Sequence, residues 1–176
     1  MIGLENKILT SERLSYRLLD ERDKLPLASL LSDFEVTHPA GFLPAKSDAE
    51  FDDFFATLTK YNTGIAVLDG ETLIGYIHVN KYVSALPELA EKPCVSTGFI
   101  IGKAFWRKGY GTEMLNTLTA YLLGRFSACF ADCFDDNPAS EKLIRKCGYE
   151  YVEDYTMFFD GFGETKTCKS FVCKSN

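Results

Sequence analysis

An α/β domain on a mixed, mostly antiparallel sheet is what this sequence predicts, and three observations predict it. Runs of strand period and helix period follow one another as a strand, two helices, three strands, a helix, a strand, a helix and two strands. Asp69-Gly70 stands between two strand-like runs, and the hairpin it signals has antiparallel strands. The strand–helix–strand succession over residues 95–134 signals a crossover, whose strands are parallel. No repeat, linker or low-complexity tract interrupts the 176 residues, so residues 1–176 are read as one domain.

Taken in order, Arg13 to Leu19 reads as the first strand. Glu21 to Phe34 reads as a helix with Leu25, Leu27, Leu30, Leu31 and Phe34 on its apolar side, and Pro26 is tolerated near its start. Residues 35–46 form a loop holding His38-Pro39 and Gly41. Ser47-Asp48-Ala49-Glu50 is a capping box that starts a second helix, with an apolar face of Phe51, Phe54, Phe55, Leu58 and Tyr61. Ile65 to Leu68 and Thr72 to Asn80 are the hairpin strands, and residues 84–93 a longer loop. The core strand 95–101, a helix to about residue 124, the strand Ala128 to Phe134 and a helix over 137–147 follow. Tyr149 to Phe159 and Lys166 to Lys174 are the last strands, joined around Asp160-Gly161-Phe162-Gly163. Seven strands and about four helices result.

Residues 95–115 carry the strongest functional signal. The β-branched, apolar run Val95 to Ile101 stops at Gly102, and a basic, glycine-bearing loop follows: Trp106, Arg107, Lys108, Gly109, Tyr110, Gly111. From Gly111 an apolar stripe begins at helical spacing, with Leu115, Leu118 and Leu122. A loop between a strand end and a helix start gathers unpaired backbone N–H groups at the positive end of the helix dipole. Glycines admit a ligand close to the backbone, and Arg107 and Lys108 add charge, which suits a pyrophosphate. The dinucleotide pattern Gly-x-Gly-x-x-Gly fails at Met114, and no Gly-Lys-Ser/Thr occurs. Further on, Asn137 before Pro138 is a helix start with Asn as cap, and Gly148 is a stop.

On these residues the chain resembles the GNAT superfamily of acyl-CoA-dependent N-acetyltransferases, in its ribosomal-protein (RimJ/RimL-type) branch. Ile8-Leu9-Thr10-Ser11-Glu12-Arg13-Leu14 resembles that branch's opening strand, and Leu19-Asp20-Glu21-Arg22-Asp23 the start of its first helix. Phe105 to Glu113 resembles its acyl-CoA loop, and Asn137-Pro138-Ala139-Ser140 with Cys147-Gly148-Tyr149 its last core helix. The four motifs stand in the family's order and spacing across nearly the whole chain.

The resemblance implies a GNAT-like fold with a splayed parallel strand pair, and acetyl-CoA as co-substrate. It implies that the pantetheine arm pairs with the backbone of Phe99, Ile100 and Ile101, as an added strand does. The pyrophosphate would rest on backbone N–H groups of residues 107–112, beside Trp106, Arg107, Lys108, Gly109, Tyr110, Gly111 and Thr112. Asn137 would hold the pantetheine arm, with Ser140 facing the same groove. Two departures concern proton handling. Ile144 stands where many members place a Tyr as general acid, and Ser96 stands where this branch often has an acidic residue. His38, in the loop that borders the acceptor site in this family, and Ser140 are the remaining catalytic candidates, with Glu35 and Glu50 as carboxylates within reach of assistance. An α-amine, with a pKa near ~8, is far more neutral at cellular pH than a lysine near ~10.4, so it needs a base less. Positioning and an oxyanion-stabilising N–H then supply much of the acceleration. The expected function is acetyl transfer to a primary amine, first a protein amino terminus; a small amine (polyamine, amino acid or antibiotic) and a catalytically silent acyl-CoA-binding module are the alternatives.

Composition fits and sets limits. The 46% hydrophobic content is that of globular proteins, and fourteen Phe and nine Tyr belong mostly to core or pocket lining. A net charge of -6 argues against nucleic acid as a partner. The first ten residues have no signal-peptide pattern and no run approaches the ~20 apolar residues of a membrane span, so a cytoplasmic protein without membrane partners is expected, as a monomer or homodimer. Six cysteines form no Cys-x-x-Cys, and with only His38 and His78 no metal site is expected. Cys129 and Cys133 fall on one strand face and read as buried, reduced thiols, while His78 reads as a packed or surface residue.

Overall fold

β-Branched and aromatic runs bounded by Gly, Asp and Asn, alternating with amphipathic stretches, give this chain eight strands and five α-helices among its described residues. The computed structural model describes Leu4 and residues 7–175. They fall into two compact units, residues up to His78 with Phe99–Tyr110, and Val79–Gly98 with the residues from Gly111 on.

The first unit holds β1 (Leu9–Thr10), β2 (Leu14–Leu18), α1 (Lys24–Leu31), α2 (Phe34–Thr37), α3 (Asp48–Tyr61) and β3 (Gly64–Asp69). It also holds most of β4 (Thr72–Tyr82) and the end of β5 (Cys94–Ile101). Its strands lie in the order β1-β2-β3-β4-β5. The expected hairpin is present, closing at Asp69↔Thr72 with Gly70 at φ 59°. Leu27, Leu31, Val36, Phe55, Leu58, Tyr76 and Ile100 form its core.

The second unit holds the remainders of β4 and β5, then α4 (Tyr110–Leu123) from Gly111 on, β6 (Ala128–Phe134), α5 (Pro138–Lys146), β7 (Glu150–Phe159) and β8 (Glu164–Lys174). Its strand order is β4-β5-β6-β8-β7. The expected parallel pair is β5 with β6, in register from Cys94↔Ala128 to Thr97↔Ala131. Beyond that last pair both strands continue, β5 for four residues and β6 for three.

Three expectations are corrected. Among the described residues there are eight strands rather than seven, because the Ser11 N–H donates to Leu14 O at 2.9 Å and folds Leu9–Thr10 back onto β2. The single helix over residues 21–34 is a 3-10 turn at Glu21–Asp23, then α1, then α2. Asp33 makes the break: its backbone is extended and its carboxylate accepts from Glu35 N–H, capping α2 afresh. Leu25 and Phe34 are consequently exposed rather than core, and His38 lies at the α2 C-terminus rather than in an open loop. At α3 the box is only half formed: Ser47 Oγ accepts from Glu50 N–H, but the Glu50 carboxylate takes the Lys46 N–H at 2.7 Å.

Candidate functional site

Within the first unit, the end of β5 turns at Gly102, whose N–H donates to Ile74 O at 2.9 Å. A single 3-10 turn, Lys103–Phe105, carries the chain to Trp106, and the Trp106 indole N–H donates to Ile101 O at 2.7 Å. That bond engages the Ile101 carbonyl expected to pair with a pantetheine arm. Phe99 and Ile101 are half-buried and Ile100 is buried.

The loop is folded by two left-handed residues on either side of Lys108: Arg107 at φ 58° and Gly109 at φ 85°. Such a backbone is the kind from which anion-binding concavities are made. Arg13, on the turn before β2, clamps it. Its guanidinium donates to Lys108 O at 3.0 Å and lies 4.2 Å over the Tyr110 ring, while the Tyr110 hydroxyl donates to the Asp69 carboxylate. A Cβ on Gly109 would come 3.4 Å from Arg13 Nη2. Arg107 and Lys108 are exposed.

The other first-unit candidates are accounted for in different ways. His38 is half-buried with its ring 4.7 Å from Phe34. Glu35 is ion-paired with Lys103. Of the three phenylalanines on α3, Phe55 is core, while Phe51 and Phe54 line a cleft of about 120 Å³ with Leu31, Phe42, Leu43, Ala45 and Glu50. His78 is packed against the Tyr76 ring, and burial pushes its imidazole pKa down.

In the second unit, α4 continues from Gly111, and the amides of a helix's first turn have no intrahelical acceptor. Gly111 and Thr112 are half-buried, and the Thr112 carbonyl accepts from the Cys147 thiol at 3.8 Å. Asn137 caps α5 as expected, its Oδ1 accepting from Ser140 N–H at 3.1 Å. Ser140 is half-buried. Ile144 is fully buried and Ser96 lies opposite Phe130 in the parallel ladder, so neither position offers a proton-handling group.

A residue absent from the sequence expectations stands out here. Asp132 is the first residue of β6 past the last pair with β5. Alternation puts it on the sheet face opposite Cys129, whose thiol meets Tyr149 and thus the side bearing Thr119 of α4. The Tyr155 hydroxyl donates to Asp132 Oδ2 at 3.2 Å, and Ser170 hydrogen-bonds the same carboxylate. Solvent still reaches Asp132, yet the groups packed around it push its carboxyl above the usual aspartate range, the two hydroxyls opposing that push. The only hint in the sequence was a single carboxylate inside the apolar run ACFADCF.

Residues 13–150 match the Acetyltransferase (GNAT) domain family. Among solved structures, the chain is similar to a GNAT-family acetyltransferase from Bacillus anthracis, with TM-score 0.81 and 17% identity over 96% of this chain and 98% of that one. It is similar to spermidine N-acetyltransferase from Vibrio cholerae, solved with CoA and spermine, with TM-score 0.76 and 16% identity over 94% and 97%. Ribosomal-protein-S5-alanine acetyltransferase from Vibrio fischeri gives TM-score 0.73 and 16% identity over 96% and 97%. The strand–loop–helix geometry, the half-paired parallel strands and the match over residues 13–150 make one statement together: this chain belongs to the GNAT acetyltransferase family.

Proposed function

We propose that this acetyltransferase moves the acetyl group of acetyl-CoA directly to a primary amine, and that its acceptor is the α-amine of a protein amino terminus, as in the RimJ/RimL-type branch. The observation that carries the cofactor half is the clamped loop after β5, with Arg107 and Gly109 left-handed and two exposed cations beside them. Residues 107–112, with Trp106, are the proposed pyrophosphate seat, and Phe99 and Ile100 the backbone that the pantetheine arm follows. Asn137 and Ser140 are proposed to contact the arm.

The acceptor half rests on the cleft lined by Leu31, Phe42, Leu43, Ala45, Phe51 and Phe54 with one carboxylate, Glu50. A lining of that kind suits the apolar side chain of a peptide better than a polycation. A small cationic amine is the second reading, favoured by the carboxylates Asp132 and Glu153, which add to the burial that raises the Tyr82 hydroxyl pKa; the spermine seen in one similar structure belongs to that protein. Incubation with acetyl-CoA and a panel of amino-terminal peptides and small amines, read by mass, tests this. A gain of one acetyl group on peptides bearing apolar first residues is expected. Gain on spermine alone would replace the first reading by the second.

A further inference from the structure

We infer that Arg13 is a positioning residue for cofactor binding: from the turn before β2 it fixes the direction in which the Gly109 amide points, and so builds the pyrophosphate seat through the loop. The inference rests on the proposed pyrophosphate seat and deepens it.

Geometry is the first argument, and every residue in it belongs to the first unit. The β2–β3 ladder reaches Leu14↔Asp69, and Arg13 stands just before Leu14. The Ser11 N–H donates to Leu14 O, which ties the turn carrying Arg13 to β2 and gives the short strand β1 a use. From there the guanidinium touches the loop in three ways. Its Nη1 donates to Lys108 O at 3.0 Å. Its Nη2 lies 3.4 Å from where a Cβ on Gly109 would be. Its flat face lies 4.2 Å over the Tyr110 ring, and the Tyr110 hydroxyl donates to Asp69. The contacts thus leave the end of the β2–β3 ladder at Arg13 and return to it at Asp69. A planar guanidinium can donate in its plane and stack by its face at once, and an ammonium cannot.

The second argument is what that grip does to the backbone. In a trans peptide the C=O and the N–H point in opposite directions, and no cis bond is present among the described residues. Lys108 O is held against Arg13, so the Gly109 N–H of the same peptide plane is aimed away from Arg13. Gly109 at φ 85° would let that plane turn, because glycine takes either sign of φ readily. Arg107 at φ 58° is a strained neighbour that favours such a turn. Without Arg13 the seat is formed in only a fraction of the molecules, and the apparent affinity falls by that fraction. A plain charge effect predicts otherwise: Arg13 is exposed beside exposed Arg107 and Lys108, and any cation at its position would then serve.

The test is calorimetric titration with CoA, paired with urea unfolding, for wild type, Arg13→Ala, Arg13→Lys, Tyr110→Phe and the double variant of Arg13→Ala with Tyr110→Phe. Arg13→Ala is expected to lower CoA affinity about fivefold or more, with the urea midpoint close to wild type. Arg13→Lys, which keeps the charge, is expected to fall within about twofold of Arg13→Ala. Tyr110→Phe is expected to lose about twofold to threefold, and that loss is expected to vanish once Arg13 is Ala, because the ring acts through the guanidinium. Wild-type affinity in either Arg13 variant overturns the inference, as do losses that simply multiply in the double variant. A fall in affinity matched by a fall in the urea midpoint overturns it too, since Arg13 would then serve the fold alone. If Arg13→Ala does not fold, Arg13→Lys decides by the same criterion. No CoA binding by the wild-type protein overturns the pyrophosphate seat itself, and this inference with it.

Discussion

Ile144 shows how one side chain separates what a family pattern suggests from what a fold allows. It occupies the helix position at which the family resemblance implies a tyrosine acid, and it is fully buried on α5. Placing Tyr there inserts an aromatic ring and a hydroxyl into a packed interior. Overpacking costs about 1–3 kcal/mol, and a buried hydroxyl without a partner adds to that. Tyr76 illustrates the second cost in the native chain, for its hydroxyl is buried among the first unit's core residues without a hydrogen-bond partner. Ile144→Tyr is therefore expected to lower the urea midpoint clearly and to leave turnover no higher than wild type. Equal stability with faster CoA release would show that α5 yields to admit the ring and that an acid is useful there. Ile144 was legible as a missing acid but not as a core residue, because a helix of nine residues presents its buried face only once packed.

At the scale of elements, local rules succeeded where a few adjacent residues settle the backbone. Asp69-Gly70, Asn137-Pro138 and Gly148 all mark what they were read to mark. They failed where a capping side chain competes with an apolar pattern. Leu30, Leu31 and Phe34 read as one continuous stripe, yet Asp33 stops α1 and starts α2 with a single carboxylate. The loop after β5 lies between these cases. Its glycines were legible, but the Arg13 clamp joins residues 95 positions apart and left no local trace. The loop makes a two-part prediction. Gly109 holds φ 85°, a conformation that costs a residue with a Cβ about 1 kcal/mol or more. Gly109→Ala is expected to lose about that much stability by denaturation and to keep measurable CoA binding. Gly109→Glu loses similar stability but sets a carboxylate in the proposed pyrophosphate seat, and calorimetry is expected to show CoA affinity down by about tenfold or more. Equal affinity in the Ala and Glu variants would mean that the loop is a turn and not an anion seat.

At the scale of the whole molecule, the succession of elements and the parallel crossover were legible because alternation and helical period report burial directly. The side-chain groups that the strands gather were less so. Asp132, Tyr155 and Ser170 come from three strands, and only the β6–β8–β7 register gathers them, so no spacing in the chain announces the group. The cysteines test the whole fold at once. All six are free, five are buried, and Cys173 alone is half-buried. Burial pushes the thiols of Cys129 and Cys147 up to about 11 and that of Cys133 up to about 12. A raised thiol pKa leaves little thiolate at pH 8, and thiolate is the reacting form. A thiol reagent added to the native protein at that pH is expected to modify Cys173 slowly and the other five at a single rate set by global opening. In denaturant all six react at once. Because a thiol of raised pKa ionises more readily when the chain unfolds, alkaline pH favours the unfolded state through these groups, and stability falls as pH rises past the ordinary thiol range near 8.5. Two or more thiols reacting quickly in the native protein, mapped by mass to β6 or β8, would show that the second unit opens locally instead of as a whole.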